Sequence, residues 1–229
     1  MAQTTVLSLF HYRTLSAKLK AFVRMGFPPL RNNTIPGLQF WKPLGTGGGN
    51  GFSLRPDFST YGLITVFENE SQAEKFISST VLDRYLRTSD SYSHIHLHNI
   101  QAHGKWSGRE PFQKTVDHDP QKTVCVLTRA TIKPMMALKF WKNVPYVSSE
   151  IESYEDCLFS KGVGEWPVFM QATFSVWKNT DAMKAYAYKN RGHHEMIKKT
   201  RELGWYSEEL FARFHPFKQS GDLIHVPQS

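Results

Sequence analysis

Two stretches of the chain, Thr60–Phe76 (TYGLITVFENESQAEKF) and Gln171–Tyr188 (QATFSVWKNTDAMKAYAY), decide the fold because they repeat one pattern. Each begins with an aromatic-bearing, β-prone run, passes an asparagine at a turn and continues as an amphipathic helix. An internal echo of this kind predicts one structural unit that the chain uses twice.

The first half of the chain shows six segments whose apolar spacing alternates between strand and helix periods, in the order β-α-β-β-α-β. The first helix is indicated by Leu15, Leu19, Phe22 and Val23, which recur at helical spacing. The predicted elements are strand Thr4–Tyr12, helix Leu15–Met25, strands Leu38–Lys42 and Tyr61–Glu68, helix Glu70–Leu86 and strand Ser93–Trp106.

The second half repeats this order. Pro134 suits the start of a helix, and Thr180 or Asp181 can cap a helix that begins at Ala182 by accepting its free N–H groups. The predicted elements are strand Val124–Ile132, helix Met135–Ser153, strands Leu158–Gly164 and Gln171–Trp177, the helix from Ala182 and a last strand near Leu210–Phe217.

This order is that of the ferredoxin-like unit, and each such sheet has a second face that must be buried. We therefore predict an α+β fold, in which two ferredoxin-like βαββαβ repeats pack sheet to sheet as an α+β barrel within one chain. The predicted division is a first half at 1–106, a polar connector at 107–122, a second half at 123–217 and a loose tail at 218–229.

Composition excludes several classes of protein. With 229 residues, 40% of them hydrophobic and 21% charged, the chain can bury a core without crosslinks and is not broadly disordered. Cys125 and Cys157 match no metal or redox spacing, which favours a reduced cytosol. No window approaches the ~18 apolar residues that a membrane span needs.

The net charge is +8, from 28 basic and 20 acidic residues. The excess is interpreted as spread along the chain, with no long basic run, so nucleic-acid binding is not predicted. A positive surface of this kind attracts anionic lipid or an acidic protein partner.

Three further patterns suggest sites. The glycine-rich loop Gly45–Gly51 lacks a following Gly-Lys-Ser/Thr and is interpreted as a lid or turn rather than a phosphate loop. His94, His96 and His98 share one face of a strand and can hold a metal ion. The alternative, which the same period favours, places Ile95 and Leu97 in the core and leaves the three histidines in water.

Histidines and arginines elsewhere are also candidates. If the last helix continues past Gly192, His193 faces inward and His194 outward, and an inward histidine is either a core residue or a ligand. Arg55 and Arg129 are the candidate arginines, and Arg129 interrupts a strand otherwise suited to burial. A buried guanidinium must meet an anion, either a ligand or an internal carboxylate.

Several stretches taken together resemble the spheroidene monooxygenase family of carotenoid-modifying enzymes. They cover about residues 5 to 215 and, as an ordered set, are far more specific than any one piece. The stretches are SLRPDFSTYGL (53–63), WSGREPF (106–112), VLTRATIKP (126–134), FWKNVP (140–145), GVGEWP (162–167), QATFSVW (171–177) and GWYSEELFARF (204–214).

The resemblance implies a haem-dependent monooxygenase that adds oxygen at C-2 of an acyclic carotenoid to give a keto group. It implies a haem in the second half of the barrel, with His193 as the axial iron ligand and His194 as the reserve candidate. Arg55 and Arg129 are then candidates for contacting haem propionates or polarising iron-bound oxygen. Other haem chemistry on the same scaffold, such as dehydration or peroxidation, stays open at this point, as does the non-haem metal site.

The resemblance also implies partners. We expect an acyclic carotenoid substrate, a ferredoxin-like electron donor steered by the positive surface, and transient contact with a membrane surface. The predicted location is cytoplasmic, at or near the inner face of the membrane. Either a monomer or a homodimer is compatible with the fold.

Overall fold

Eight antiparallel strands form a closed barrel in this computed structural model, which describes residues 2–28, 30, 34–49, 55–142, 151, 154–166, 168–189 and 203–227. Side chains are described for the same residues except 188 and 189. The strands are β1 (Thr4–His11), β2 (Leu38–Gly47), β3 (Pro56–Phe67), β4 (Ser91–Gly104), β5 (Val124–Ile132), β6 (Cys157–Trp166), β7 (Met170–Trp177) and β8 (Tyr206–Gly221).

The helices lie on the outside of the barrel. They are α1 (Leu15–Gly26), α2 (Glu70–Ile77), α3 (Thr80–Leu86) and α4 (Thr180–Lys184), which continues as a π-helical turn over Ala185–Lys189. A 3₁₀ turn at Pro134–Met136 leads into a helix over residues 137–142. Of the rest of the predicted helix Met135–Ser153, the structure describes Ile151, which is helical. Tyr154, just after the predicted helix, is also described.

The strand order around the barrel is β1-β3-β2-β6-β7-β5-β8-β4. The first four strands are adjacent in the order β4-β1-β3-β2, and the last four follow the equivalent order β8-β5-β7-β6. Two seams close the barrel: β2 pairs with β6 over Gly45–Thr46, and β4 pairs with β8 from Ser93 to Gly104. The predicted α+β barrel is confirmed.

The barrel interior is filled by side chains, because alternate residues of every strand point inward. Ile95 and Leu97 of β4 belong to this inner cluster, as predicted for the core. Its other members include Leu7, Leu9, Phe40, Leu44, Ile64, Val66, Trp106, Cys125, Leu127, Phe174, Val176, Leu210 and Phe214.

The two asparagines of the repeated stretches are helix caps. Asn69 accepts a hydrogen bond from the backbone N–H of Gln72 at the start of α2, and Asn179 accepts one from Ala182 at the start of α4. The prediction of a cap at Thr180 or Asp181 is therefore wrong by one or two residues. An asparagine side chain satisfies one of the free N–H groups of the first turn, which explains its use at both positions.

Several predicted boundaries differ from the structure. The single helix Glu70–Leu86 is two helices, because Ser79 caps a new one at Thr80. Strand β8 continues four residues beyond Phe217, to Gly221. The residues after it are packed rather than loose: Val226 is buried, and its N–H donates to Gln219 Oε1.

Gly45–Gly47, predicted to lie in a lid or turn, belong instead to β2 at its seam with β6. Among the helices that the structure describes, none combines the length and the apolar character required to cross a membrane.

Candidate functional site

The outer faces of the two half-barrels are covered differently. Over the first half, one continuous apolar cluster joins the sheet to α1, α2 and α3. Over the second half, the described residues form two separate clusters. One contains Ile100, Val124, Val126, Ile151, Trp177, Met183 and Tyr186, and the other contains Ile132, Ala137, Phe140, Trp141 and Trp205.

Small and polar residues occupy the sheet between these two clusters. On β5, Val126 belongs to one cluster and Ile132 to the other, and Thr128 and Ala130 face outward between them, with Thr128 exposed. Strand pairing places Thr173 of β7 beside Thr128, and Gly162 of β6 beside Thr173. We call the outward-facing residues Thr128, Ala130, Ser160, Gly162 and Thr173 the polar floor.

Two hydroxyl groups of the polar floor, Ser160 Oγ and Thr173 Oγ1, are buried and have no hydrogen-bond partner among the residues that the structure describes. Ser160 is 6% exposed, so bulk water does not compensate for the missing bond. A buried hydroxyl without a partner costs on the order of 1–3 kcal/mol. The polar floor therefore offers hydroxyl groups that the described part of the chain leaves available to a bound group.

The predicted haem ligands, His193 and His194, lie outside the described residues. The chain that carries them nevertheless has defined ends. Tyr186, shortly before it, belongs to the first flanking cluster, and Trp205, shortly after it, belongs to the second. The segment that contains both histidines thus connects the two clusters on either side of the polar floor.

Arg129 points away from the polar floor, into the barrel, because it lies between outward-facing Thr128 and Ala130 on the same strand. It is 3% exposed, and its guanidinium forms an ion pair with Glu208 and lies 3.6 Å from Glu165 Oε1. The structure thus shows the internal carboxylates that the sequence left open as partners for this arginine.

The ion pair of Arg129 is part of a larger network at one end of the barrel. Lys42 Nζ lies 2.6 Å from Glu165 Oε2, and the Trp106 indole N–H donates to the other oxygen of Glu165. The backbone N–H groups of Ser107 and Gly108 donate to Glu208 at 2.9 and 2.7 Å. Burial raises the pKa of Glu208, but these donors and the guanidinium outweigh it and hold the pKa below its ordinary value.

Arg55 lies directly before β3 and is exposed. Its carbonyl accepts a hydrogen bond from the N–H of Gly48 at 2.8 Å. The two candidate arginines therefore lie in different environments, since Arg129 is inside the barrel and Arg55 is exposed at its surface. A role for Arg55 toward a haem propionate or oxygen stays a prediction.

The three histidines of β4 face the outside of the barrel, but two of them are not in water. His94 and His96 are buried, so the prediction of three solvated histidines is wrong for both. His94 Nδ1 lies 2.8 Å from Ser8 Oγ, and burial lowers the pKa of His94 to about 4. His98 stacks on the ring of Phe217, with centroids 3.8 Å apart.

His96 Nε2 lies 3.5 Å from Glu74 Oε1, a carboxylate at the edge of hydrogen-bonding distance. Within the part of the chain that the structure describes, no three His, Cys, Asp or Glu side chains are grouped so as to hold a metal ion. The non-haem metal site proposed for His94, His96 and His98 therefore has no support in the geometry.

No protein-family model matches the chain. Three relatives called spheroidene monooxygenase do. The protein of Cereibacter sphaeroides is 34% identical over 214 residues, which cover 93% of this chain and 66% of the relative. The match to the Rhodobacter capsulatus protein, at 33% identity, covers 91% of this chain and 88% of the relative. The chain belongs to the spheroidene monooxygenase family. The Rubrivivax gelatinosus protein is 37% identical over 190 residues.

Solved structures place this member of the spheroidene monooxygenase family in a known fold. A crystal structure of aldoxime dehydratase matches with a TM-score of 0.64 at 9% identity, covering 93% of this chain and 81% of the other. A second aldoxime dehydratase, crystallised with butyraldoxime, matches with a TM-score of 0.61. At such low identity the likeness concerns the fold alone.

The polar floor was not predicted from the sequence. A signal for it exists in VLTRATI and QATFSVW, where Thr128 and Thr173 occupy outward positions of otherwise apolar strands. An isolated threonine in a strand is usual, however, because β-branched residues favour strands in general. Only the pairing of β5 with β7 shows that the two threonines are neighbours.

Proposed function

We propose that the protein is a haem-dependent monooxygenase that oxidises an acyclic carotenoid, with formation of a keto group at C-2. The observation that carries the oxygenase activity is membership of the spheroidene monooxygenase family, at 33–37% identity to three relatives. Haem dependence and the position of oxidation come from the resemblance and are part of the proposal.

The proposed haem position is the outer face of the second half-barrel, above the polar floor. The first half has no comparable gap among its described residues, since one apolar cluster covers its sheet. The unpaired hydroxyl groups of Ser160 and Thr173 and the exposed Thr128 fit a large planar group with apolar faces and polar edges. The two flanking clusters supply apolar walls.

His193 is the proposed iron ligand, with His194 as the reserve. The other imidazoles of the second half that the structure describes are poorly suited. His215 Nδ1 lies 2.8 Å from the carbonyl of Thr123, and its Nε2 accepts the N–H of Asp119. His118 stacks beside His215, with ring centroids 5.9 Å apart, and His225 is exposed.

When bound, a haem iron with one imidazole ligand supplies the oxygen activation that this reaction needs. The chain's own residues have a different task. The apolar walls, with Trp177 and Tyr186 on one side and Phe140 and Trp141 on the other, can hold a polyene and exclude water. Because the polar floor has few hydroxyl groups, the polar edge of a bound group can form hydrogen bonds with the floor in few orientations.

We also propose the finer features of architecture and partnership. The equivalent orders β4-β1-β3-β2 and β8-β5-β7-β6 support two ferredoxin-like repeats divided near residues 107–122. The electron donor is proposed to be an acidic ferredoxin-like protein, and the site of action the cytoplasmic side of the membrane. The oligomer is a monomer or a homodimer.

The test is an absorption spectrum of the protein expressed with haem supplied. We expect a Soret band that is lost or shifted in His193→Ala and retained in His194→Ala. His118→Ala is the matched control, because its imidazole is exposed and lies beside His215. No Soret band in the wild type, or one that both substitutions at 193 and 194 leave unchanged, would contradict the haem assignment.

The substrate assignment is tested separately. We expect the haem-loaded protein, given a reductant and oxygen, to convert a lycopene-like carotenoid into a product whose mass shows a C-2 keto group. Binding of haem without turnover of any acyclic carotenoid would leave a haem protein of other function.

A further inference from the structure

Helix α1 turns a stripe of large apolar side chains toward solvent. These residues recur at positions i, i+4, i+7 and i+8, so they share one face of the helix. Each is between 52% and 83% exposed, whereas Ala17 and Ala21 on the opposite face pack on the sheet. The α1 stripe consists of Leu15, Leu19, Phe22 and Val23.

Two neighbouring aromatic residues enlarge the stripe. Phe58 of β3 is 53% exposed, and its ring meets that of Phe22 edge to face, with centroids 6.0 Å apart. Phe27, just after α1, is 84% exposed. A contiguous apolar surface of this size usually marks an interaction site rather than a chance exposure.

Lysines border the α1 stripe on both sides. At about 100° per residue, Lys18 lies beside one edge of the stripe and Lys20 beside the other. Neither lysine has an ion-pair partner among the residues that the structure describes. The helix contains no acidic residue.

The net positive charge of the chain is concentrated in the part of the sequence that contains this helix. The first acidic residue of the sequence is Asp57, whereas residues 1–56 contain seven lysines and arginines. This quarter of the chain therefore carries +7 of the net +8, and the interpretation of an evenly spread excess is wrong.

An apolar groove connects the α1 stripe to the second half-barrel. It is lined by Phe22, Met25, Phe58 and Val168, and its floor contains Gly45 and Gly164 at the β2–β6 seam. The groove reaches Gln171, which pairs with Ala130 of the polar floor. The stripe thus borders a groove that ends one strand pair away from the polar floor.

We propose that the α1 stripe and its flanking lysines dock onto an anionic bilayer surface. A helix that presents apolar side chains between a lysine on each side has the form of interfacial helices, whose apolar face enters the lipid while the cations meet headgroup phosphates. An acidic soluble partner would match the charge but would have to cover six large exposed apolar side chains. The role of the docking surface in carotenoid uptake rests on the proposed function, but the docking itself does not.

The experiment is co-sedimentation of the full chain with vesicles of phosphatidylcholine alone or mixed in equal parts with phosphatidylglycerol. We expect binding to the anionic vesicles, weakened by salt, and little binding to the neutral ones. The double substitutions Leu19→Ser/Phe22→Ser and Lys18→Gln/Lys20→Gln should each lower the partition coefficient on the order of tenfold.

Two double variants serve as matched controls. Met135→Ser/Leu138→Ser removes apolar side chains that are even more exposed than Leu19 and Phe22 from another part of the surface, and Lys105→Gln/Lys122→Gln removes two exposed charges elsewhere. Both should bind as the wild type does, and circular dichroism checks that every variant is folded.

Three results would overturn the proposal: no binding to anionic vesicles, binding that the α1 variants do not reduce, or equal binding to neutral vesicles. Light scattering without lipid tests a second copy of the chain as the occupant, since self-association lost in Leu19→Ser/Phe22→Ser would assign the stripe to a dimer. The assay uses no haem and no turnover. A missing Soret band would therefore contradict the proposed function without affecting the docking result. A lack of vesicle binding would likewise contradict the docking without affecting the haem assignment.

Discussion

At the scale of single residues, Arg129 shows how burial decides the role of a charge. A guanidinium inside a barrel loses its hydration, and the structure compensates with Glu208 and Glu165. Removal of either the arginine or its carboxylate leaves the other charge in the low-dielectric interior without an opposite charge. We therefore assign Arg129 to the stability of the barrel end, where it also lies over the ring of Trp106 at 5.7 Å.

We expect Arg129→Met to lower the free energy of unfolding by about 3 kcal/mol at neutral pH, because it leaves Glu208 without its cation, whereas Glu165 keeps Lys42. The pKa of Glu208 is lower in the folded than in the unfolded chain, so its contribution is present above the ordinary value of 4.5 and is lost as the pH falls through the folded value. The deficit of the variant should accordingly shrink as the pH falls below 4.5 and through the folded pKa of Glu208.

Urea unfolding of both proteins across pH checks this prediction. Arg87→Ala is the control, because Arg87 forms an exposed i,i+4 pair with Asp83, which is worth less than about 1 kcal/mol. If Arg129→Met instead keeps its stability but loses a Soret band, Arg129 acts on the haem and the structural assignment is wrong.

At the scale of elements, the two asparagine caps are a matched pair. Asn69 and Asn179 occupy the same position in the repeated stretches, and each accepts a hydrogen bond from the backbone N–H three residues further along. The helices that they start lead to different parts of the chain, since α2 is succeeded by α3 and α4 by the segment with His193. The two caps therefore make the same local hydrogen bond, but the helices that they start continue into different parts of the chain.

Asn69→Ala and Asn179→Ala should each cost about 1 kcal/mol of unfolding free energy, as loss of a helix cap generally does. Only Asn179→Ala should also raise the rate of haem release, because its helix leads to the proposed ligand. Chemical denaturation and haem transfer to apomyoglobin measure the two effects. Equal haem release from both variants would separate α4 from the haem site.

At the scale of the whole molecule, the barrel depends on the β4–β8 seam, which joins the two halves. A glycine lies at each end of it: Gly104 pairs with Leu210, and Gly221 pairs with Ser93. Both have positive φ, and a Cβ at either would lie 2.2 Å from a backbone oxygen, of Glu209 and Tyr92 respectively. Close approach of two backbones therefore requires glycine at both positions.

We expect Gly104→Ala to lower the free energy of unfolding by more than about 2 kcal/mol, from backbone strain and a clash that no flexible side chain can relieve. Gly108→Ala is the control, since Gly108 also has positive φ but nothing within 4 Å of its would-be Cβ. Gly108→Ala should lose only about 1 kcal/mol of unfolding free energy, from backbone strain alone. Thermal unfolding of the two variants measures the difference, and equal losses would show that the seam tolerates a side chain there.

The elements and their order are predictable from residue patterns, because strand and helix periods are local properties of neighbouring residues. The repeated stretches around Asn69 and Asn179 predict two equivalent halves, and the prediction of an α+β barrel comes from the need to bury both sheets. The motif set predicts the family for the same reason, since it depends on residue identity alone.

Contacts between residues that are far apart in the sequence depend instead on how the strands pair in the folded barrel. The partners of Arg129 lie on β6 and β8, and no local pattern links them to β5. The helical spacing of the α1 stripe correctly predicts a helix, yet the small side chains of Ala17 and Ala21 face the sheet and the large ones face solvent. Periodicity identifies residues that share a face, whereas the face that is buried depends on the packing of the whole barrel.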